Sequence, residues 1–163
     1  MKLVQFGFYK LKDKYFSDFP SPQNRYMDNK SENRPYYLAF TDRSGIIWLI
    51  PISSKVEKYK AKIIADEKKF GECLTCHIID FMGEERAVLI GNMIPVIPEY
   101  IKGEFTILRK HYIVQDNDTI KAIRKRCSRY LTLVRTKKMH PCVDILANER
   151  VLLNKLNNAA FIV

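Results

Sequence analysis

The chain has 163 residues, of which 47% are hydrophobic, and its 28 Lys and Arg residues outnumber 18 Asp and Glu residues to give a formal net charge of +10. This is enough apolar material for one core, and no Gly- or Ser-rich linker divides it, so we expect one domain over residues 1–163. The charge favours a polyanion, with nucleic acid as the first candidate. The first residues are too weakly apolar for a signal peptide, and no stretch approaches the roughly 20 apolar residues of a membrane helix. We therefore expect a cytoplasmic protein without a membrane partner.

The first elements in chain order are a predicted strand at residues 3–9 and a short helix at residues 12–19, which Pro20 and Pro22 end. A polar loop follows. Residues 36–52 then contain two apolar runs separated by a turn rich in Asp, Ser and Gly, which predicts an antiparallel hairpin.

A second hairpin is predicted from residues 73–82 and 86–96, and its first arm begins with the string Cys-Leu-Thr-Cys-His. This string attaches c-type haem in other proteins. In a strand, however, Cys73 and Cys76 should point to opposite faces and could not share a ligand. Zinc would need a second pair of ligands, and Cys127, His140 and Cys142 are unsuitably spaced. We expect buried, inert thiols, no cofactor and no metal.

The C-terminal third shows a helical period. A helix capped by Asp118 is predicted because apolar residues recur three or four positions apart. They are Ile120, Ile123, Cys127, Tyr130, Leu131 and Val134. The other face is cationic, with Lys121, Arg124, Lys125, Arg126, Arg129, Arg135, Lys137 and Lys138. Surface helices usually mix charges, so we favour phosphate contact here over a merely solvated basic face.

The last predicted element is a helix over residues 143–156. Val143, Leu146, Arg150 and Leu153 lie at helical intervals in it. Its charges are mixed, so we expect it to serve packing.

The end of the first hairpin carries residue types that suit phosphate chemistry. The apolar strand runs into Ser53 and Ser54, and Lys55, Lys58 and Lys60 follow. Cutting RNA requires a base for the 2′-hydroxyl, cations for the phosphorane and an acid for the leaving 5′-oxygen, and none of these has to be a metal. A lysine crowded by other cations has a lowered pKa and can transfer protons. The alternative is an ordinary polar strand exit, since most Lys-rich segments are solvated.

Several stretches in order carry a resemblance to a known family. They are FYKLKDKYFSDF, NRPYYLAF, IPISSKVEKYK, CHIIDF and LIGNMIPV, within residues 4–100. Together they resemble the toxins of type III toxin–antitoxin systems, the ToxN and AbiQ family, and most closely its CptN-like branch. The resemblance implies an α+β fold with a strongly twisted antiparallel sheet, related to the MazF and Kid toxins and wrapped by helices. It also implies a bacterial, metal-independent endoribonuclease of phage defence. Such a toxin is inhibited by a small pseudoknot RNA antitoxin that it cuts from a repetitive precursor, and copies of both join head to tail in a closed assembly.

The resemblance also implies site residues. The family's basic position before the first hairpin strand falls on Arg34, and its tandem hydroxyls fall on Ser53 and Ser54. A proline that usually precedes the catalytic lysine is absent, so the lysine is Lys55 or, less favoured, Lys58.

The tyrosines of the matching stretches are candidates for the RNA groove. They are Tyr9, Tyr15, Tyr36 and Tyr37, and for each of them a place in the core is the alternative. Since neighbours in a strand face opposite sides, we expect only one of Tyr36 and Tyr37 to be exposed. His77 and His111 suggest an acid–base pair, but the family uses none, and we interpret His77 as a packed strand residue.

The leading hypothesis is therefore cleavage of cellular mRNA by in-line attack of the 2′-hydroxyl, which leaves a 2′,3′-cyclic phosphate and a 5′-hydroxyl. Ser53 and Ser54 would bind the phosphate, Lys55 would stabilise the transition state or move a proton, and Arg34 would neutralise charge. RNA contacts are expected from Lys60, Lys121, Arg124, Lys125 and Arg129. The alternative is a structured-RNA-binding module without catalysis. DNA binding is disfavoured because the basic helix lacks the preceding helix of a helix-turn-helix.

Overall fold

A computed structural model describes residues 1–21, 23 and 25–162. Its main sheet has seven strands, and every pairing in it is antiparallel. The strands are β1 (Phe8–Leu11), β2 (Tyr36–Thr41), β3 (Ile47–Ser53), β4 (His77–Phe81), β5 (Glu84–Val88), β6 (Ile94–Val96) and β7 (Ile101–Glu104). Their order is β4-β5-β3-β2-β1-β7, with β6 also paired to β3. A separate pair consists of β8 (Thr106–Ile107) and β9 (Lys110–His111).

Strand β3 is the centre of this sheet. One of its edges pairs with β2, which confirms the predicted first hairpin. Its other edge is shared, because Ile47–Leu49 pair with β6 and Ile52 and Ser53 pair with β5. All seven residues of β3 are buried, so the strand that leads to the two serines is fixed on both edges and both faces.

The second predicted hairpin is confirmed only in part. Strands β4 and β5 pair across a tight turn in which Met82 and Gly83 both have positive φ. The second arm does not continue to Val96, because the chain makes a 3₁₀ turn at Ile90–Asn92 and then pairs with β3 as β6. The first arm begins at His77, so residues 71–76 form a loop that precedes the strand.

This loop overturns the expectation for the cysteines. We predicted that Cys73 and Cys76 point to opposite faces of a strand, and this is wrong because neither lies in one. Their sulfur atoms are 3.5 Å apart. Both side chains are buried, as expected, in a small second cluster with Ala87 and Leu89.

The helices of the described residues are α1 (Lys14–Asp18), α2 (Val56–Phe70), α3 (Asn117–Arg135) and α4 (Ile145–Ala160). None of them is long and apolar enough to cross a membrane. Helix α2 was not predicted from the sequence. This helix buries none of its residues, so it lacks the apolar stripe by which we recognised α3.

In α3 the predicted apolar face is confirmed, with Ile123, Cys127, Tyr130, Leu131 and Val134 buried and Ile120 half-buried. The cap is Asp116, whose carboxylate accepts a hydrogen bond from the Thr119 amide at 3.1 Å; Asp118 lies in the first turn.

In α4 the predicted stripe is displaced by one position. The buried residues are Ile145, Glu149 and Leu152, whereas Arg150 is exposed. The displacement has a physical cause, because the carboxylate of Glu149 accepts two hydrogen bonds from Arg135 of α3, both at 2.8 Å. A paired glutamate can be buried, but a hydrophobicity pattern does not show it.

Prediction on helix docking: replacing Arg135 by Met should destabilise the protein, because it leaves the buried Glu149 carboxylate without its partner. We expect a loss of about 2 kcal/mol in the free energy of unfolding, measured by urea denaturation. The control is Arg150→Met on the exposed side of α4, with an expected change within about 0.5 kcal/mol. Equal effects of the two variants would contradict the role given to the pair.

Candidate functional site

The turn between β3 and α2 contains the residues that the sequence singled out, and we call Ser53, Ser54 and Lys55 the serine–lysine junction. Ser53 is 7% exposed, and its Oγ accepts a hydrogen bond from the Lys55 amide at 3.2 Å. Ser54 and Lys55 are exposed. Ser53 therefore shapes the turn, while Ser54 and Lys55 present their polar groups to solvent.

Arg34 lies beneath this junction. Its side chain is buried, with its Nε donating to the Asp28 carbonyl and one terminal nitrogen donating to the Ile52 carbonyl at 2.6 Å. Ile52 is the residue before Ser53. Arg34 is therefore joined through the Ile52 carbonyl to the strand end that carries the two serines, and its guanidinium is a fixed positive charge behind them.

The N-terminus of α2 adds to this positive potential. Lys55 occupies the cap position and offers no side-chain hydrogen bond to the first turn. The first amides of a helix have no partner inside it. Here the Val56 amide donates to the Ser54 carbonyl at 2.8 Å, and the amides that follow it, together with the helix dipole, favour anions. Within the described part of the chain the Lys55 amine makes no ion pair or hydrogen bond. The junction can therefore hold a phosphate between Ser54, Lys55 and the helix amides.

The other two lysines of the segment differ from each other. Lys58 is exposed, and its amine lies 5.4 Å from the centre of the Tyr59 ring. Lys60 forms an ion pair with Glu85 of β5 at 2.5 Å, which raises the pKa of Lys60. Lys60 is thus partly neutralised by the protein itself, whereas Lys55 and Lys58 retain free charge.

Tyr59 is a neighbour of this site that the sequence analysis missed. It is half-buried on α2, and burial raises the pKa of its phenol while the positive charge of Arg34 opposes that rise. Residues 56–69 are rich in Lys, Glu and Ala, which are good helix formers. Weighing that propensity would have revealed α2 and with it the position of Tyr59.

The expectation of exposed tyrosine rings is wrong. Tyr9, Tyr36 and Tyr37 are 0%, 1% and 1% exposed, and Tyr15 is buried as well. Tyr36 and Tyr37 do face opposite sides of β2, but both sides are covered. The Tyr9 hydroxyl accepts from the Val4 amide at 2.6 Å. None of these rings can stack on a base in this structure, so we leave them out of the proposed interface.

The cationic face of α3 divides into two groups. Three arginines make structural contacts: Arg126 with the Cys73 carbonyl at 3.2 Å, Arg129 with Glu72 at 2.8 Å and Arg135 with Glu149. The others are exposed without an acidic partner in the described residues. They are Lys121, Arg124 and Lys125 on the helix, and Lys137 and Lys138 just beyond its end at Arg135. Of these, Arg124 lies over the ring of Phe6 at 5.5 Å.

His77 and His111 do not form an acid–base pair. His77 is half-buried in β4, and burial, followed by the nearby charge of Arg126, lowers its pKa to about 4. His111 lies near β1, with Nε2 2.9 Å from the Phe8 carbonyl and Nδ1 3.5 Å from Glu104. Strands β5, β3 and β2 stand between β4 and β1. The interpretation of His77 as a packed strand residue is confirmed by its burial.

The protein is similar to known proteins in its structure but not detectably in its sequence. No protein-family model matches the sequence, and no curated protein is significantly similar to it. Among solved structures, the chain is similar to AbiQ, a lactococcal anti-phage endoribonuclease of the type III toxin–antitoxin system. The TM-score is 0.60 and the sequence identity is 16%, and the match covers 96% of this chain and 99% of AbiQ.

A second similar structure comes from a bacterial antiviral system that a processed non-coding RNA regulates. Here the TM-score is 0.57 at 14% identity, covering 93% of this chain and 98% of the other. The resemblance to the ToxN and AbiQ family is confirmed as a shared fold with AbiQ. In the described residues of this chain, that fold is α+β, with an antiparallel sheet and four α-helices.

Prediction on pH: His77 should destabilise the fold in acid. Its folded pKa, about 4, lies below the ordinary value near 6.5. Between these values the unfolded state binds the proton, so stability is full above about pH 6.5 and is lost as the pH falls. We expect a loss of about 1 to 2 kcal/mol from pH 6.5 to pH 5, measured by urea denaturation.

His77→Gln should flatten that pH dependence, and His140→Gln should not, because His140 is exposed. Identical slopes for wild type and His77→Gln would show that the histidine is protonated as easily in the folded protein as in the unfolded chain.

Proposed function

We propose that this protein is a metal-independent endoribonuclease, the toxin of a bacterial type III toxin–antitoxin system that acts in phage defence. The observation that carries the proposal is the serine–lysine junction, where Ser54 and Lys55 are exposed at the positive end of α2 above the buried Arg34. The shared fold with AbiQ, an endoribonuclease, supports it. We propose that residues 1–163 act as one domain in the cytoplasm, where mRNA is the substrate. We further propose that the sheet is strongly twisted and related to that of the MazF and Kid toxins.

The chemistry assigned to the junction is transesterification at phosphorus. The RNA 2′-oxygen gives its proton to water, attacks the phosphorus in line and displaces the 5′-oxygen, which takes a proton from Lys55 or from water. The products are a 2′,3′-cyclic phosphate and a 5′-hydroxyl. Ser54 and the α2 amides bind the non-bridging oxygens, and Lys55 stabilises the phosphorane or protonates the leaving oxygen.

The remaining site residues have supporting roles. Arg34 supplies positive charge from a buried position, where low polarity strengthens its field. Ser53 keeps the turn in shape through the Lys55 amide. Lys58, one helical turn from Lys55, is the second candidate for proton transfer.

The partner that we propose is a small pseudoknot RNA antitoxin, which this chain cuts from a repetitive precursor and which then inhibits it in a closed head-to-tail assembly. Two observations support an RNA partner. The net charge is +10, and the second structural relative belongs to a system that a processed non-coding RNA regulates. The exposed cations of α3, Lys121, Arg124 and Lys125, are the expected contacts to the antitoxin backbone.

One observation favours a second candidate, a structured-RNA-binding module without catalysis. The exposed cations of α3 form a basic surface that would bind an RNA backbone whether or not the junction is catalytic. The two candidates differ only in the products that they leave.

Prediction on cleavage: the purified protein should cut a mixed-sequence RNA in EDTA and leave cyclic-phosphate and 5′-hydroxyl ends. Lys55→Ala should lower the rate at least about 100-fold, as expected for loss of a proton-transfer or charge-stabilising group. RNA binding, measured by gel shift, should remain. Ser54→Ala tests phosphate binding by a hydroxyl more cleanly than Ser53→Ala, because Ser53 also holds the turn.

The matched control is Lys68→Ala, at the far end of the same helix and equally exposed, which should cut at the wild-type rate. Lys58→Ala separates the two candidate lysines. Full activity of both Lys55→Ala and Lys58→Ala would contradict the assignment of the lysine. If the RNA stays intact but comigrates with the wild-type protein, the result would contradict the nuclease and favour the second candidate, an RNA-binding module without catalysis.

Prediction on salt: RNA binding should weaken steeply with salt, because Lys and Arg contacts to phosphate release counterions. The double variant Lys121→Met, Lys125→Met should reduce the slope of log K against log salt by about 2. A matched pair of exposed lysines on other elements, Lys2→Met with Lys110→Met, should leave it nearly unchanged. A slope unaffected by the α3 variant would remove this helix from the interface.

A further inference from the structure

Cys73 and Cys76 form a close pair of thiols that the proposed nuclease chemistry does not use. Both are free, and their sulfur atoms lie 3.5 Å apart. This is van der Waals contact between sulfurs, and an approach of about 1.5 Å would bring them to the bond length of about 2 Å. A buried cysteine is usually inert, but two in contact can be joined when an oxidant takes up their two electrons.

Contacts from outside the loop hold the two sulfurs in this position. Arg129 pairs with Glu72 at 2.8 Å, Arg126 donates to the Cys73 carbonyl at 3.2 Å, and the Gly91 amide donates to the Thr75 carbonyl at 2.9 Å. Gly91 permits this approach, because a Cβ there would lie only 3.2 Å from the Thr75 side chain. Two arginines of α3 are thus committed to the loop that carries the pair.

The two thiols differ in their surroundings. Cys73 donates to an Asp66 oxygen at 3.4 Å and lines a surface cavity of about 300 Å³ together with Lys125 and Arg126. Cys76 faces inward, and burial, together with its hydrogen bond to Cys73, raises its pKa to about 12. A reagent in the cavity therefore meets Cys73 first. The cavity is lined by two cations, Lys125 and Arg126, and by two carboxylates, Glu67 and Glu72, so its charge does not select among reagents.

We propose that Cys73 and Cys76 are a redox site, a dithiol that a small-molecule disulfide oxidises to an internal disulfide, and that the oxidation changes the packing of α2. The Cys73 sulfur attacks one sulfur of the reagent, which forms a mixed disulfide and expels the first thiol. The Cys76 sulfur then attacks the Cys73 sulfur and expels the second. The cysteine pair loses two electrons and two protons, and the two reagent thiols gain them.

The link to α2 follows from what the pair touches. Tyr59 and Ile63 of α2 pack on the cluster that contains both cysteines, and Asp66 of the same helix contacts Cys73. A shift of the sulfurs toward each other moves the surface on which α2 rests. Disulfides in reducing compartments are usually transient and regulatory, and a pair packed against α2 suits such a use.

The test treats the whole protein with glutathione disulfide under native conditions, followed by alkylation of the remaining thiols and peptide mass spectrometry. Of the four cysteines, Cys73 and Cys76 should lose their free thiols together as an internal disulfide. Cys76→Ser should stop at a glutathione adduct on Cys73, and Cys73→Ser should leave Cys76 unreacted. Cys142→Ser, which removes the exposed cysteine, is the matched control and should still form the disulfide.

Hydrogen exchange tests whether oxidation of the cysteine pair changes the packing of α2. Oxidation of the wild-type protein should change amide exchange in residues 56–70, and the same treatment of Cys73→Ser should not. Reaction confined to Cys142, or alkylation of Cys73 and Cys76 as free thiols after treatment, would overturn the redox site. A disulfide that leaves exchange in α2 unchanged would overturn the coupling. Neither result depends on nuclease activity, so this inference is independent of the proposed function.

Discussion

The buried guanidinium of Arg34 is the constraint on which the candidate site depends. A buried charge is costly unless its hydrogen bonds are met. Arg34 meets this requirement with backbone carbonyls, those of Asp28 and Ile52, instead of a carboxylate. These two hydrogen bonds connect the loop before β2 to the end of β3. Because no acidic side chain in the described residues neutralises it, the charge also acts on the junction beside it. One side chain thus fixes the geometry and supplies the electrostatic potential.

Arginine and lysine have different uses on α3. Arg126, Arg129 and Arg135 hold the cysteine loop and α4, whereas Lys121 and Lys125 remain free for an external partner. The division follows from chemistry, since the planar guanidinium suits carbonyls and carboxylates in fixed geometry and the flexible, strongly hydrated ammonium stays in solvent. A run of positive charge in a sequence therefore overstates the surface that is available to RNA. Here the net charge of α3 is a poor measure, because three of its four arginines make internal contacts, whereas Arg124 is exposed.

The elements predicted correctly are those with a strong local pattern in the sequence. The first hairpin follows from its turn residues and apolar runs, and α3 follows from its apolar stripe. Helix α2 was missed because it buries no residue, and the tyrosines were misplaced because sequence alternation does not show that both faces of β2 are covered. Glu149 was missed because its partner lies in another helix. The serine–lysine junction was singled out by its residue types and Arg34 by the family resemblance, whereas helix α2 was overlooked although the helix propensity of residues 56–69 indicates it.

Helix α2 joins the two regions that this protein offers for chemistry. Its N-terminus forms part of the serine–lysine junction, and Tyr59, Ile63 and Asp66 contact the cysteine pair or its cluster. None of its residues is fully buried, so its position depends on the half-buried contacts of Tyr59 and Ile63 with the small cluster and on the ion pair of Lys60 with Glu85. Phosphate binding at a helix N-terminus depends on where that terminus lies within fractions of an ångström. The packing of the small cluster beneath α2 therefore helps to determine how well the junction is organised, although the two regions share no residue.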